Sequence, residues 1–244
     1  GSEVSKNAAD IILTDDNFAT IINGIKWGRG VYENFQRFIQ FQLTVNVIAF
    51  LVAIISQILD FDMPFTTIQL LWVNIIMDGP PALALGLEPI RDAVFDRKPV
   101  DRKASIITKQ MITSIVLNAL YVTAILLIQM KFNILGASTV VQADGASEME
   151  TVLFALFAFS ALFNAFNCRE FGTDSIFKNF TKNKTALLII SVTAIAQFIF
   201  TELFSGFFNA VSLSLVMWGK VILLAFMIIV VNEVIKFVLR LFKK

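Results

Sequence analysis

Six apolar stretches, each long enough to cross a bilayer core of ~30 Å as a helix of roughly 20 residues, decide what this chain can fold into. They run from Phe38 to Leu59, Phe65 to Leu85, Ile106 to Met130, Met149 to Asn167, Thr185 to Phe204 and Val216 to Leu239. With 57% hydrophobic residues, 16% charged residues and no histidine, the solvent of this chain is mostly lipid, which argues against a soluble globular domain. The single cysteine, Cys168, excludes an intrachain disulfide framework. Without histidine, a zinc or redox-metal site built on imidazole and thiolate is not expected either.

Positive charge supplies a second, independent signal. Lys6, Lys26, Arg29 and Arg37 precede the first stretch; Arg91, Arg97, Lys98, Arg102 and Lys103 follow the second; Arg169, Lys178, Lys182 and Lys184 follow the fourth. The tail adds Arg240, Lys243 and Lys244. The connections at Asp60 to Pro64 and Ser205 to Leu215 hold no Lys or Arg, and the third has only Lys131 at its edge beside Asp144, Glu148 and Glu150. Basic residues favour the cytoplasmic side, so six spans with both termini cytoplasmic are expected.

Asp78 stands inside the second stretch, four residues after Asn74 and directly before Gly79, Pro80 and Pro81. A carboxylate at that depth costs several kcal/mol unless paired, which makes it a candidate for an ion path. On an α-helix, residues four apart share a face, so Asn74 and Asp78 offer oxygens to one point. The two prolines remove backbone donors and free carbonyls. Hard cations such as calcium take that ligand set.

The first 37 residues are polar and acidic, unlike a secretory leader. Asp10 to Thr14 reads as a short strand, Asp15, Asp16 and Asn17 as a helix N-cap, and Phe18 onward as a stalk helix continuing toward the first span, with Gly24, Gly28 and Gly30 as weak points. A strand with no sheet to join, in a chain without an initiating methionine, is expected of a fragment. The fold class is thus an all-α polytopic membrane protein, six transmembrane helices preceded by a strand and a stalk.

The run from Ala9 to Phe18, FQLTVNV at Phe41 to Val47 and LLWVNIIMDGPPALALGLEP at Leu70 to Pro89 together resemble the C-terminal part of P-type calcium-transporting ATPases. FQLTVNV is similar to plasma-membrane calcium pumps, NIIMDGPP to secretory-pathway pumps, which also move manganese. The resemblance implies that residues 1–37 are the end of the phosphorylation domain with its stalk and that 38–244 hold the last six of ten transmembrane helices. It implies Ca2+ ligation by Asn74, Asp78 and Asn46. Two-calcium pumps carry acids where this chain has Ala49 and Ala161, so one Ca2+ per cycle is expected. The aspartyl-phosphate motif, the nucleotide-binding domain and a further glutamate ligand of the family lie outside these residues. Mg2+ and ATP therefore belong to the full-length protein, and the partners are the lipid bilayer and the N-terminal part of the same pump, with no nucleic acid. The absence of a long calmodulin-binding tail suggests a short-tailed pump of the cell membrane. A free-standing six-helix cation channel is the competing reading, and the orphan strand and stalk speak against it; a related pump for monovalent ions is the third.

Other polar residues read as structural. Gln40, Gln42, Thr44, Asn118, Asn164, Gln197 and Asn232 suit packing, Glu202 and Glu233 with Lys236 suit span ends with a Glu233–Lys236 partnership, and Glu88 reads as solvated or docking. Trp72 and Trp218 read as interface anchors.

Overall fold

The structure, a computed structural model, describes residues 2–15, 17–101, 103–142 and 145–242. Asp16, Arg102, Asp144, Lys243 and Lys244, used above in the charge and capping arguments, lie outside the described residues. A short helix α1 (Glu3–Ala8) is followed by α2 (Phe18–Ile58), α3 (Thr67–Trp72), a π-helical turn (Val73–Asp78) and α4 (Gly79–Gly86). Then come a 3-10 turn (Asp92–Phe95), α5 (Lys109–Phe132), α6 (Glu148–Cys168), a second 3-10 turn (Ile176–Asn179), α7 (Lys184–Leu203), α8 (Ser205–Phe208) and α9 (Leu215–Phe242). Among the described residues, six helical stretches, with α3, the π-turn and α4 counted as one, are long and apolar enough to span a bilayer.

Stalk and first span form a single helix. Asn17 caps α2 by accepting from the Ala19 amide at 3.0 Å, and Asp15 accepts from the Thr20 hydroxyl at 2.6 Å, which holds the Asp15 carboxyl below its ordinary range. Gly24, Gly28 and Gly30 do not interrupt the helix. At 41 residues α2 is about 60 Å long, twice the thickness of the hydrocarbon core, so roughly half of it projects beyond the membrane. Burial along it begins at Gly30, where a Cβ would collide with the Ile90 side chain, so helix and loop approach closely there.

The strand expected at residues 10–14 does not form. That segment is irregular, with Ile11 80% and Ile12 51% exposed, and among the described residues the only β pairing is an isolated bridge between Val141 and Ser147. A lone extended segment has no neighbour to take its amides and carbonyls, so alternation of side chains alone cannot hold it as a strand.

The centre of the bundle is α6, buried at almost every position from Thr151 to Cys168, as a helix apolar on all sides must be. Its start is fixed by a capping box, in which Ser147 accepts from the Glu150 amide and Glu150 reaches back to the Ser147 amide. It packs against α9, α5, α2 and α7, while α2 packs against α5 and α4, and α4 against α7. The polar residues read as structural behave so. Gln40 donates to Ser114 (3.1 Å), Asn232 pairs with Asn118, Gln197 joins Trp72 (2.7 Å) to Thr201 (3.0 Å), and Lys236 faces Glu233 at 3.7 Å. Trp218 donates to Glu202 (2.7 Å), and at 3% exposure it is a packing residue rather than a lipid-facing anchor.

Candidate cation site in the second span

The site is built by interrupting a helix. Thr66 and Gln69 form a capping box that starts α3, and the Gln69 amide group donates to the Phe208 carbonyl at 2.9 Å, pinning that end of the span. Trp72 lies at a tilt against Phe200 and meets Phe208 edge-on, so α3 is anchored by rings. Eight residues after Trp72, Pro80 and its neighbour Pro81 cannot donate to the carbonyls four positions back, those of Ile76 and Met77. The segment in between winds as a π-turn, a local form concentrated at functional sites. The π-turn packs against α6 and α7.

Asp78, at the end of that turn, is 1% exposed, and among the described residues its Oδ1 has no hydrogen-bond partner. A buried, unsatisfied carboxylate oxygen is expensive, more so in a membrane-spanning helix, and proteins keep one where a ligand completes it. Asp78 also opens α4 without capping it through its side chain, so that role does not consume the carboxylate.

The two amides are placed differently. Asn74 is exposed on the outside of the bundle, and Asn46 is exposed with its Nδ2 returned to the Gln42 carbonyl on its own helix at 3.0 Å. Within this chain the structure therefore does not gather Asn46, Asn74 and Asp78 in one buried pocket. The four-residue rule that put Asn74 and Asp78 on one face assumes α geometry, and the wider π-turn changes the angular step between them. Of the two alanines, Ala161 is fully buried in α6 and Ala49 half-buried in α2. Among the described residues no three Asp, Glu, Cys or His side chains form a metal cluster.

A second polar centre, missed in sequence, lies at the basic end of the bundle. Glu88, read above as solvated, is 2% exposed. Its carboxylate accepts from Arg169 at 3.0 Å and from Asn183 at 2.7 Å. Asn34 of α2 donates to the carbonyls of Gly86 (3.1 Å) and Glu88 (2.8 Å), and Arg37 donates to the Arg169 carbonyl (3.0 Å). Beside it Arg91 grips Glu170 with two hydrogen bonds of 2.8 and 2.7 Å, and Asn179 adds a third to Glu170 at 3.0 Å. The only local hint was a glutamate between two helix-ending residues, Leu87 and Pro89; its partners come from 81 and 95 positions away.

Burial by itself would raise the Glu170 carboxyl, but the hydrogen bonds and charge of Arg91, with Asn179, hold it below the ordinary range. A depressed carboxyl contributes stability above its unfolded value of about 4.3 and loses it only as pH falls through the lower folded value. Hydrogen-exchange protection across residues 170–183, taken relative to the intrinsic exchange rate at each pH, is expected to stay constant from pH 7 to 5 and to fall below about pH 4. Loosening near pH 6 would contradict this account of the loop.

Residues 62–238 match the family model described as cation transporting ATPase, C-terminus. The chain is 41% identical over 239 residues to calcium-transporting ATPase 1, plasma membrane-type, of Oryza sativa subsp. japonica, covering 97% of this chain and 22% of that protein. It is 40% identical over 221 residues to calcium-transporting ATPase 8, plasma membrane-type, of Arabidopsis thaliana, covering 89% of this chain and 20% of that protein. This chain spans about a fifth of the length of these relatives. A buried unpaired acid in a broken membrane helix and a family match across most of the six spans agree: the chain belongs to the cation transporting ATPases, as their C-terminal membrane part.

Proposed function

We propose that this chain forms the greater part of the ion path of an ATP-driven pump that exports Ca2+ from the cytoplasm, one ion per cycle. The observation that carries the proposal is the Asp78 carboxylate, buried, unpartnered and held where a π-turn meets a Pro-Pro helix start. The relatives named as calcium-transporting ATPases support the choice of ion. Calcium is the cargo; Mg2+ and ATP act in the rest of the pump, through an aspartyl phosphate that these residues do not supply.

In this reading Asn74 and Asn46 are exposed because the surface that covers them belongs to helices outside this chain, which is a fifth of its relatives' length. An amide facing acyl tails is costly, whereas one facing another helix is a ligand or glue. The long α2 then couples phosphorylation to the ion site, as a rigid rod shifting between two arrangements. The run of basic residues before the first span and after the second and fourth supports cytoplasmic termini, and the plasma-membrane-type relatives support the cell membrane.

Equilibrium binding of calcium-45 to a complete pump carrying this chain tests the reading, with one ion bound per molecule as the expected result. Two ions would contradict the role given to Ala49 and Ala161. No calcium-dependent ATP turnover, with turnover driven by a monovalent ion instead, would replace calcium as the cargo.

A further inference from the structure

The half-helix that follows Asp78 is tied to its neighbours at its far end by side chains of other elements. Glu88 lies ten residues beyond Asp78, about 15 Å along a helix axis. Between them α4 ends with orphan carbonyls that its own amides cannot satisfy. Asn34 takes those of Gly86 and Glu88, while the Asn183 Nδ2 lies 3.4 Å from the Ala84 carbonyl and 2.7 Å from the Glu88 carboxylate. Arg169, 3% exposed, lies against Glu88 through Nε (3.3 Å) and Nη2 (3.0 Å) and also donates to the carbonyls of Asn179 and Phe180. Arg37 closes the ring from α2 to the Arg169 backbone. At its other end α4 joins a π-turn, where the prolines leave the helix without its usual amide bonds. The stiff attachment of this half-helix is therefore at Glu88 and not at Asp78.

We infer that the buried Glu88–Arg169 pair is a positioning device for the ion site: it fixes the axial position of α4, and so of Asp78, against α2, α6 and α7. This rests on the role proposed for Asp78. The pair touches no cation itself. Its charges are needed because a single fully buried pair with several hydrogen-bonding arms admits one geometry, whereas an apolar contact at the same place tolerates sliding.

The test uses a complete pump carrying this chain and compares the parent with Glu88→Met/Arg169→Met, Arg169→Lys and Asp78→Asn. Removing both charges together avoids stranding one in the interior, so the double variant is expected to fold and insert. Per folded molecule, its KM for calcium is expected to rise at least tenfold while kcat changes less than twofold, and Arg169→Lys, which keeps the charge, recovers most of the affinity. A role in stability alone would lower the amount of folded pump and leave KM where it was, and that result overturns the inference. If Asp78→Asn loses uptake while the double variant keeps the parent's KM, only the positioning role fails; if Asp78→Asn keeps uptake, the reading of the ion site fails and this inference with it.

Discussion

Asp78→Asn is expected to cut high-affinity calcium uptake by a complete pump at least a hundredfold, a loss of about 2.7 kcal/mol, without loss of folded protein. The substitution preserves shape and one oxygen, so what it removes is charge. A hard divalent cation stripped of water needs anionic oxygen, and Asp78 is the only acid within its span. Stability is expected to move in the opposite direction. The buried carboxylate oxygen has no partner, and a neutral amide costs less to hold there, so the variant should be equal to the parent or more stable by about 1–2 kcal/mol. Opposed signs separate a ligand from a structural residue, because a packing carboxylate lost to asparagine would weaken the fold and lower uptake only in proportion. Calcium-45 uptake into vesicles together with thermal unfolding in the same preparation reads both; unchanged uptake, or joint loss of stability and uptake, would refute the role given to Asp78.

What could be read from the sequence was what hydropathy and local chemistry control. The six spans follow from apolar length, and their observed limits fall within a few residues of expectation, with the first span continuing the stalk helix in α2. Asp78 stood out because nothing polar of its kind shares that stretch, and the structure keeps it buried and unpaired. The strand at residues 10–14 was misjudged because strand formation depends on a neighbour, which alternation in one segment does not report. The shared face of Asn74 and Asp78 was misjudged because Pro80 and Pro81 act on the winding before them, and a π-turn shifts every angle read at α spacing. Glu88 was misjudged because its burial is made by Arg169 and Asn183, residues so distant in sequence that only the packing of α4 against α7 brings them together.

That long-range origin also makes the Glu88–Arg169 pair the place where a single substitution does most damage to the fold. Arg169→Met is expected to destabilise the chain by about 3–5 kcal/mol, more than the replacement of both partners, because it leaves a carboxylate 2% exposed with the Asn183 amide as its nearest remaining donor. Arg91 does not substitute: its Nη2 lies 3.8 Å from Glu88 and is already engaged by Glu170 at 2.7 Å. Glu88→Met alone strands the Arg169 guanidinium in the same way, though the carbonyls of Asn179 and Phe180 continue to accept from it and soften the loss. The expected order of stability is therefore parent, then double variant close behind, then Glu88→Met, then Arg169→Met. Thermal or denaturant unfolding in detergent micelles measures it. Single variants as stable as the parent would mean that water or lipid headgroups reach the pair. The inversion, two changes costing less than one, distinguishes a desolvated ion pair from two independent contacts, since independent contacts would add.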